Sequence, residues 1–561
     1  MDTKDYLLKK FLPRIEFSSY EDFKENYRLN IPEKFNFGYD VVDEWARVSP
    51  DKPALVWIDD NENEVRLSFS DIKRISDKTA NALLSMGIKR GDRVLLILKQ
   101  RTEVWTTLVA LCKIGAVAIP ATFQLTPKDI VYRCNCADVK MICCVDDPDI
   151  LAHIKDSEKD CATLNTVCVV GDRVPEGYVN FREKIKEAPE EFSRMETKNT
   201  DPMLIYFSSG TTGMPKMILH DFEYPLGHIT TAHYWHHVED GGLHLTVCDS
   251  GWAKFAWGKI YGQWICGAVI VAYDTEKFNA QKLLHVIDKL RLTTFCAPPT
   301  IYRFLIKEDM SSCDFSSIKH CSIAGEPLLP EVYYKFKELT GLAVTEGFGQ
   351  TETSVLLANF EWFDVKPGSM GKPSPLYDIE LQDENGDPVE DGVVGSIVVK
   401  NVFEKHPTGL FREYYKSPEA MAHSFKNGNY NTGDMAWKDS DGYYWFEGRN
   451  DDIIKCSGYR IGPFEVESAI SSHPSVLECA VTAAPDPVRG QVVKATIVLA
   501  KGYEPSDALK KEIQDHVKKT TAPYKYPRIV EFVKELPKTS SSKIMRGAIR
   551  RGNFSKDTDN K

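Results

Sequence analysis

No stretch of this chain stays apolar long enough to cross a bilayer; Lys99 and Lys113 bracket the longest candidates in its first half. A basic excess is also missing, since 70 Lys and Arg face 81 Asp and Glu, for a net charge of −11. That balance excludes general affinity for nucleic acid or anionic membrane, both polyanions, so an anionic ligand must be caught by local basic groups. The N-terminal MDTKDYLLKKFLPRIEFSSYEDF lacks the apolar run of a secretory signal and carries acids that transit peptides avoid. The 14 cysteines include the close pairs Cys134/Cys136 and Cys143/Cys144, yet no His or second Cys-x-x-Cys stands at zinc-ligand spacing. They read as reduced core thiols. Internal repeats and low-complexity tracts are absent. The expectation is a soluble, cytoplasmic protein without a transmembrane segment, its oligomeric state undefined.

What is present is enough for more than one core: 561 residues, 42% hydrophobic and 27% charged. Residues 1–40 read as a polar, aromatic-rich lead-in that packs on the body. From about 41 to 200, helical and strand patterns alternate. FSDIKRISDKTANALLSMGIK (69–89) sets Ile72, Ile75, Ala80, Leu83 and Leu84 at helical spacing, and the buried strand RVLLILK (93–99) follows. EVWTTLVALCKIGAVAIP then runs from helix to strand, and MLIYFSS (203–209) is another strand. This alternation predicts layered α/β structure with helices over a largely parallel sheet. Between 366 and 448 the texture turns to short β segments. After GRNDD a smaller unit begins, with helices PFEVESAISSH and SDALKKEIQDHVKK and strands ECAVTAAP and VVKATIVLA. The predicted class is mixed α/β: a large domain 1–449, closed by a small β-rich subdomain, and a smaller domain 450–561.

SSGTTGMPK (208–216) follows a buried strand directly. Its glycines, hydroxyls and lysine can wrap a polyphosphate with backbone N–H groups and side chains. It is not a Walker A loop, because the spacing fails and strand-like KMILH follows where a helix should. A plain surface hairpin is the competing reading. AGEP (324–327) and EGFGQTET (346–353) place small residues at Gly325, Gly347 and Gly349, where backbone can approach a flat base. Thr351 there offers a hydroxyl to phosphate, and Glu352 a hard oxygen for Mg²⁺. YNTGD (430–434) sets Asp434 after a tight turn, where a carboxylate can accept ribose hydroxyls. Arg449 follows in GRNDDIIKCSGYRIGPFEVE, with Arg460 a second candidate for phosphate or substrate.

SSGTTGMPK resembles the phosphate loop of the adenylate-forming superfamily, and the other segments resemble that family's motifs in order, from about residue 50 to 550. Closest in pattern is the medium-chain acyl-CoA synthetase subfamily of AMP-forming enzymes. The resemblance implies that ATP is held by Ser208, Ser209, Gly210, Thr211, Thr212, Gly213 and Lys216. It adds Gly325, Glu326, Pro327, Glu346, Gly347, Phe348, Gly349, Gln350 and Thr351, then Asp434, Arg449 and Lys543. In PKTSSSKIMRGAIR (537–550), Lys543 would orient the carboxylate, a role suited to a compact charge on a flexible stem. The catalytic set is Lys543, Lys216, Glu352 and Thr351, with Glu352 the Mg²⁺ ligand. The carboxylate attacks the α-phosphorus of ATP, pyrophosphate leaves, and coenzyme A then displaces AMP. Between the steps the C-terminal domain would rotate about Asp451.

Coenzyme A would meet Ser457, Gly458, Tyr459, Arg489, Lys518, Tyr526 and Arg528. From Lys518 to Arg551 basic residues far outnumber Glu531 and Glu535, which suits an anionic cosubstrate, though a solvated basic face is the bland alternative. Trp252, Lys254, Phe255 and Trp257 would wall the acyl pocket with Gly349, and the bulk of the aromatic rings argues against a tunnel for very long chains. Acetyl-CoA synthetases carry tryptophan at the Gly349 position, so this pocket is expected to extend beyond acetate, with a medium-chain, branched or aryl acid open. Lys254 points outward, or meets a polar substrate group, or marks a pocket that differs from the family's usual form. Two alternatives stand: an adenylate-forming enzyme with another acyl acceptor, and a catalytically silent nucleotide-binding protein.

Overall fold

Ser68 starts the helix Phe69–Ser85 by accepting from the Asp71 amide, while the Asp71 carboxylate accepts from the Ser68 amide. This reciprocal pairing satisfies two of the amides a helix start leaves orphaned. Thr126 and Asp129 repeat the device before Pro127–Cys136. The helix Glu103–Ile114 ends at Gly115, whose φ of 76° is the left-handed cap that glycine adopts without strain. Every residue of this helix after Glu103 is buried, so it is a core helix.

The computed structural model describes residues 3–208, 214–456, 459–538 and 544–552, without the side chain of Arg460. By internal contact the chain divides into two compact units. The first comprises Met1–Ser208, Pro215–Asp378 and Phe403–His423. The second is built on Ile379–Val402 and the chain from Ser424 onward.

In the first unit, one sheet runs in the order Val179–Asn180, Thr166–Val170, Val139–Val145, Arg93–Ile97, Val117–Pro120, Pro202–Ser208, Lys216–Asp221, Glu413–Tyr414. Its strands are parallel up to Pro202–Ser208, after which Lys216–Asp221 and Glu413–Tyr414 add antiparallel edges. A second sheet has a parallel centre of Pro53–Asp59, Val269–Asp274, Leu243–Thr246, Thr294–Ala297, His320–Ile323 and Val344–Phe348. Helices Phe69–Ser85, Glu103–Ile114 and Tyr261–Ile265 share one apolar core with strands of both sheets. The lead-in joins that core through Leu7, Leu8 and Phe11, all fully buried. In the second unit, Ile379–Gln382, Gly395–Val399, Asn429–Lys438 and Tyr444–Arg449 form an antiparallel array. Further on, Val476–Asp486, Gly490–Leu499 and Ile529–Val533 pack under helices Pro463–Ser471 and Asp507–Thr520.

One buried ion cluster ties the first unit together. Lys113, wholly buried, sets its Nζ 2.6 Å from Asp43 Oδ1 and 2.6 Å from Asp77 Oδ1. Burial pushes the Asp43 carboxyl up to about 6 in spite of the lysine beside it. Removing the ammonium takes from Asp43 its bound lysine and leaves Asp77 only Lys73, 2.6 Å from its other oxygen, which is costlier than losing a surface pair. Lys113→Ala is therefore expected to lower unfolding free energy by about 3–5 kcal/mol in denaturant titration. Substitution of the exposed Lys34, paired with Glu196, should change it by less than about 1 kcal/mol.

Candidate active site

Strands Pro202–Ser208 and Lys216–Asp221 form a hairpin, pairing antiparallel with Ser208 opposite Lys216. Ser209, Gly210, Thr211, Thr212 and Gly213 lie outside the described residues, as do Ser457, Gly458 and Lys543. A second hairpin, between Val344–Phe348 and Leu357–Ala358, carries Gln350, Thr351 and Glu352 at its tip. Its turn is closed by the Gln350 amide donating to Thr353 Oγ1 at 3.1 Å.

Two buried links hold the hairpins together. His220 Nε2 donates to the Thr351 carbonyl at 2.8 Å, and burial drives this imidazole down to about 3, so it is a neutral donor. Tyr414 provides the other. Its hydroxyl donates to Glu352 Oε1 at 2.9 Å, and the Lys216 ammonium lies 4.6 Å from the centre of its ring. Lys216 and Glu352, far apart in sequence, thus meet the same phenol. The sequence reading missed both His220 and Tyr414. An aromatic in FREYYKSPEA carries no local signal, because its use comes from strand pairing.

The adenine-side segments divide. Gly325 has φ of 107° with open space where a side chain would stand, so glycine is required and backbone is bare. Glu326 reaches toward Arg303 at 3.9 Å, half exposed, and Pro327 completes the turn. Glu346 is turned inward: its carboxyl oxygens accept from the Gly368 amide at 2.9 Å and the Leu328 amide at 3.3 Å. Burial raises this carboxyl to about 8, which makes it a neutral brace at physiological pH.

Gly347 and Gly349 need a different account from the one expected. A Cβ on Gly347 would stand 2.4 Å from the Trp235 indole, and one on Gly349 would stand 2.4 Å from the Trp257 indole. These glycines make room for indole rings on that side. Trp257, expected as a wall of the acyl pocket, stands directly against Gly349. Trp257 Nε1 also donates to the Thr353 carbonyl at 3.2 Å. Phe255 is packed against Trp105, with ring centroids 5.2 Å apart, while Trp252 remains part exposed. Lys254 Nζ donates to the Ala324 carbonyl at 2.9 Å, which offsets the cost of a half-buried ammonium and ties the helix Ala253–Gly258 to the Gly325 turn.

In the second unit, hairpin register puts Asp434 opposite Arg449, with Arg449 Nη1 3.2 Å from Asp434 Oδ1. Lys518, Tyr526 and Arg528 gather on one face: the Lys518 ammonium lies 4.3 Å and the Arg528 guanidinium 4.9 Å from the centre of the Tyr526 ring. Tyr459 stacks on Tyr524, ring centroids 4.2 Å apart. Arg489 stands exposed in the turn before Gly490–Leu499. Asp451 lies in the short turn Asn450–Asp452, where Arg550 donates to its carbonyl at 3.1 Å. The described residues contain no group of three or more His, Cys, Asp or Glu able to hold a metal ion.

The AMP-binding enzyme model matches residues 42–415. The AMP-binding enzyme C-terminal domain model matches residues 465–543. Acyl-coenzyme A synthetase ACSM3, mitochondrial, of Mus musculus is 45% identical over 95% of this chain and 93% of its own length. Acyl-coenzyme A synthetase ACSM5, mitochondrial, of Homo sapiens is 42% identical over 93% of this chain and 91% of its own. Among solved structures, the anthranilate CoA ligase AuaEII in complex with anthranoyl-AMP matches with TM-score 0.85 and 29% identity, covering 93% of this chain and 98% of that one. A benzoate CoA ligase from Burkholderia xenovorans matches with TM-score 0.81 and 25% identity, covering 92% of this chain and 100% of that one. The chain belongs to the AMP-binding enzyme family as an acyl-coenzyme A synthetase, an AMP-forming acid–CoA ligase.

The cytoplasmic reading is overturned, because these relatives are named as mitochondrial. Leu7, Leu8 and Phe11, within the N-terminal segment read for targeting signals, are core residues.

Glu346 gives the site a pH signature. A carboxyl raised from 4.5 to about 8 by burial favours the fold while protonated, so its contribution is whole below about 4.5 and is lost as pH rises through 8. Between about pH 6 and about pH 9 the wild type should lose at least about 1 kcal/mol more stability than Glu346→Gln, read by denaturant titration at each pH. Parallel profiles would contradict the buried-acid account.

Proposed function

We propose that this chain is a mitochondrial enzyme that activates a compact acid larger than acetate, aryl or medium-chain, and passes the acyl group to coenzyme A. The observation that carries the size limit is Trp257 standing in the space behind Gly349, which makes an aromatic wall where an open tunnel would admit long chains. The anthranilate and benzoate ligases among the similar structures support an aryl acid. The relatives' names support the location.

In this reading the ATP phosphates lie over the Ser208–Lys216 hairpin, with Lys216 and Thr351 at their oxygens, and Asp434 takes the ribose hydroxyls with Arg449 beside it. Lys543 neutralises the incoming carboxylate while it attacks the α-phosphorus. Glu352, a half-buried carboxylate oriented by a neutral phenol, fits Mg²⁺, which commonly takes only one or two protein carboxylates beside substrate phosphates. When bound, that ion spreads the charge of the phosphate chain. The domains act as 1–449 and 450–561, pivoting at Asp451 so that Ser457, Gly458 and Tyr459 face coenzyme A in the second half-reaction. Arg489, Lys518, Tyr526 and Arg528 meet its phosphates, where a local basic surface serves an otherwise acidic chain.

The halves separate in experiment. Lys543→Ala should lower pyrophosphate release by at least about 100-fold, the scale of losing one charge-stabilising group, while thioester formation from supplied acyl-adenylate stays within a few-fold. Gly458→Leu should do the reverse; equal losses in both half-reactions by either variant would refute the division of labour. An acid panel scored by AMP release should favour benzoate-like and medium-chain acids over acetate and over very long chains.

A further inference from the structure

We propose that Tyr414 is a positioning residue for adenylation: its hydroxyl orients Glu352 and its ring face holds Lys216, so that metal-side and phosphate-side groups are set at one spacing. This rests on the reading of Lys216 and Glu352 as the triphosphate-handling pair.

Tyr414 is 3% exposed and placed from three directions. Its short strand Glu413–Tyr414 pairs with Lys216–Asp221, in register with Ile218, and the Tyr415 amide donates to the Met217 carbonyl at 2.8 Å. Just upstream, the Phe411 amide donates to the Glu352 carbonyl at 2.7 Å, and the Gly409 carbonyl accepts from the Ser354 amide at 3.0 Å. Arg412 anchors the same segment by pairing with Asp221. Residues 409–415 therefore clip the strand that begins at Lys216 to the turn that carries Glu352, and Tyr414 is where the clip touches both functional side chains.

The chemistry suits the place. A phenol hydroxyl is neutral at physiological pH, so it can orient a carboxylate without cancelling the charge a cation needs. The ring face attracts an ammonium yet leaves its N–H donors able to reach phosphate oxygens. A carboxylate–lysine ion pair would have held both groups more tightly and neutralised both.

The test uses the full chain and reads binding apart from turnover. Titration calorimetry with Mg·ATP and, separately, with AMP is run on wild type, Tyr414→Phe and Tyr414→Leu. Tyr414→Phe keeps the ring and loses the hydroxyl, and should weaken Mg·ATP about 3- to 10-fold. Tyr414→Leu also loses the ring face and should weaken it further, while AMP, which lacks the outer phosphates, binds within about twofold of wild type in Tyr414→Phe. In a double-substitution cycle, adding Tyr414→Phe to Glu352→Gln should cost little more than Glu352→Gln alone. Unchanged Mg·ATP affinity in Tyr414→Phe, parallel loss of ATP and AMP binding, or full additivity in the cycle would overturn the proposal. Should Tyr414→Leu fail to fold, Tyr414→Phe and the cycle still decide. Wild type making no AMP would sink the underlying reading instead, so the two failures are distinguishable.

Discussion

The site depends on the joining of two hairpins by buried, mostly neutral contacts. Strand Lys216–Asp221 holds the turn at Thr351 and Glu352 through His220, and the short strand Glu413–Tyr414 clamps both. Both links are partly shielded from water, so a modest number of hydrogen bonds sets the Lys216 and Glu352 side chains. His220 works here because burial keeps it uncharged; an imidazolium would be a buried charge without a counter-ion to offset its desolvation. Catalytic groups drawn from distant segments must be prepositioned before substrate arrives, because reorganisation at the moment of reaction would consume the binding energy.

Aromatic packing shapes the rest. Trp235 and Trp257 pass close to the backbone at Gly347 and Gly349, and only glycine permits that approach. The same two indoles wall the strand Val344–Phe348 and the turn that follows it. Lys254, donating to the Ala324 carbonyl, joins that wall to the bare turn at Gly325.

Much of this was legible in the sequence. Helical spacing in 69–89 marked the helix Phe69–Ser85, and the apolar run after residue 202 marked a strand leading to the glycine-rich hairpin. The spacing of Asp434 and Arg449 is now understood as direct register across one hairpin, which a linear reading could name but not pair. Two kinds of information were hidden. Contacts made through long-range strand pairing, such as Tyr414 on Lys216 and Glu352, leave no local pattern. The purpose of a small residue also depends on what approaches it: the sequence names Trp257 as a wall and Gly349 as a small residue, but does not put one against the other. The buried, raised carboxyl of Glu346 belongs to the same class, since nothing in EGFGQTET separates a brace from a ligand.

The central claim is that a carboxylate oxygen attacks the α-phosphorus of ATP while the paired hairpins hold the outer phosphates. Carboxylate-¹⁸O-labelled benzoate, turned over with ATP and coenzyme A, tests it most directly when the isotope in the nucleotide product is read by mass spectrometry. The account predicts one labelled oxygen in AMP and none in pyrophosphate. Label appearing in orthophosphate with ADP as the nucleotide, or unlabelled AMP, would contradict it.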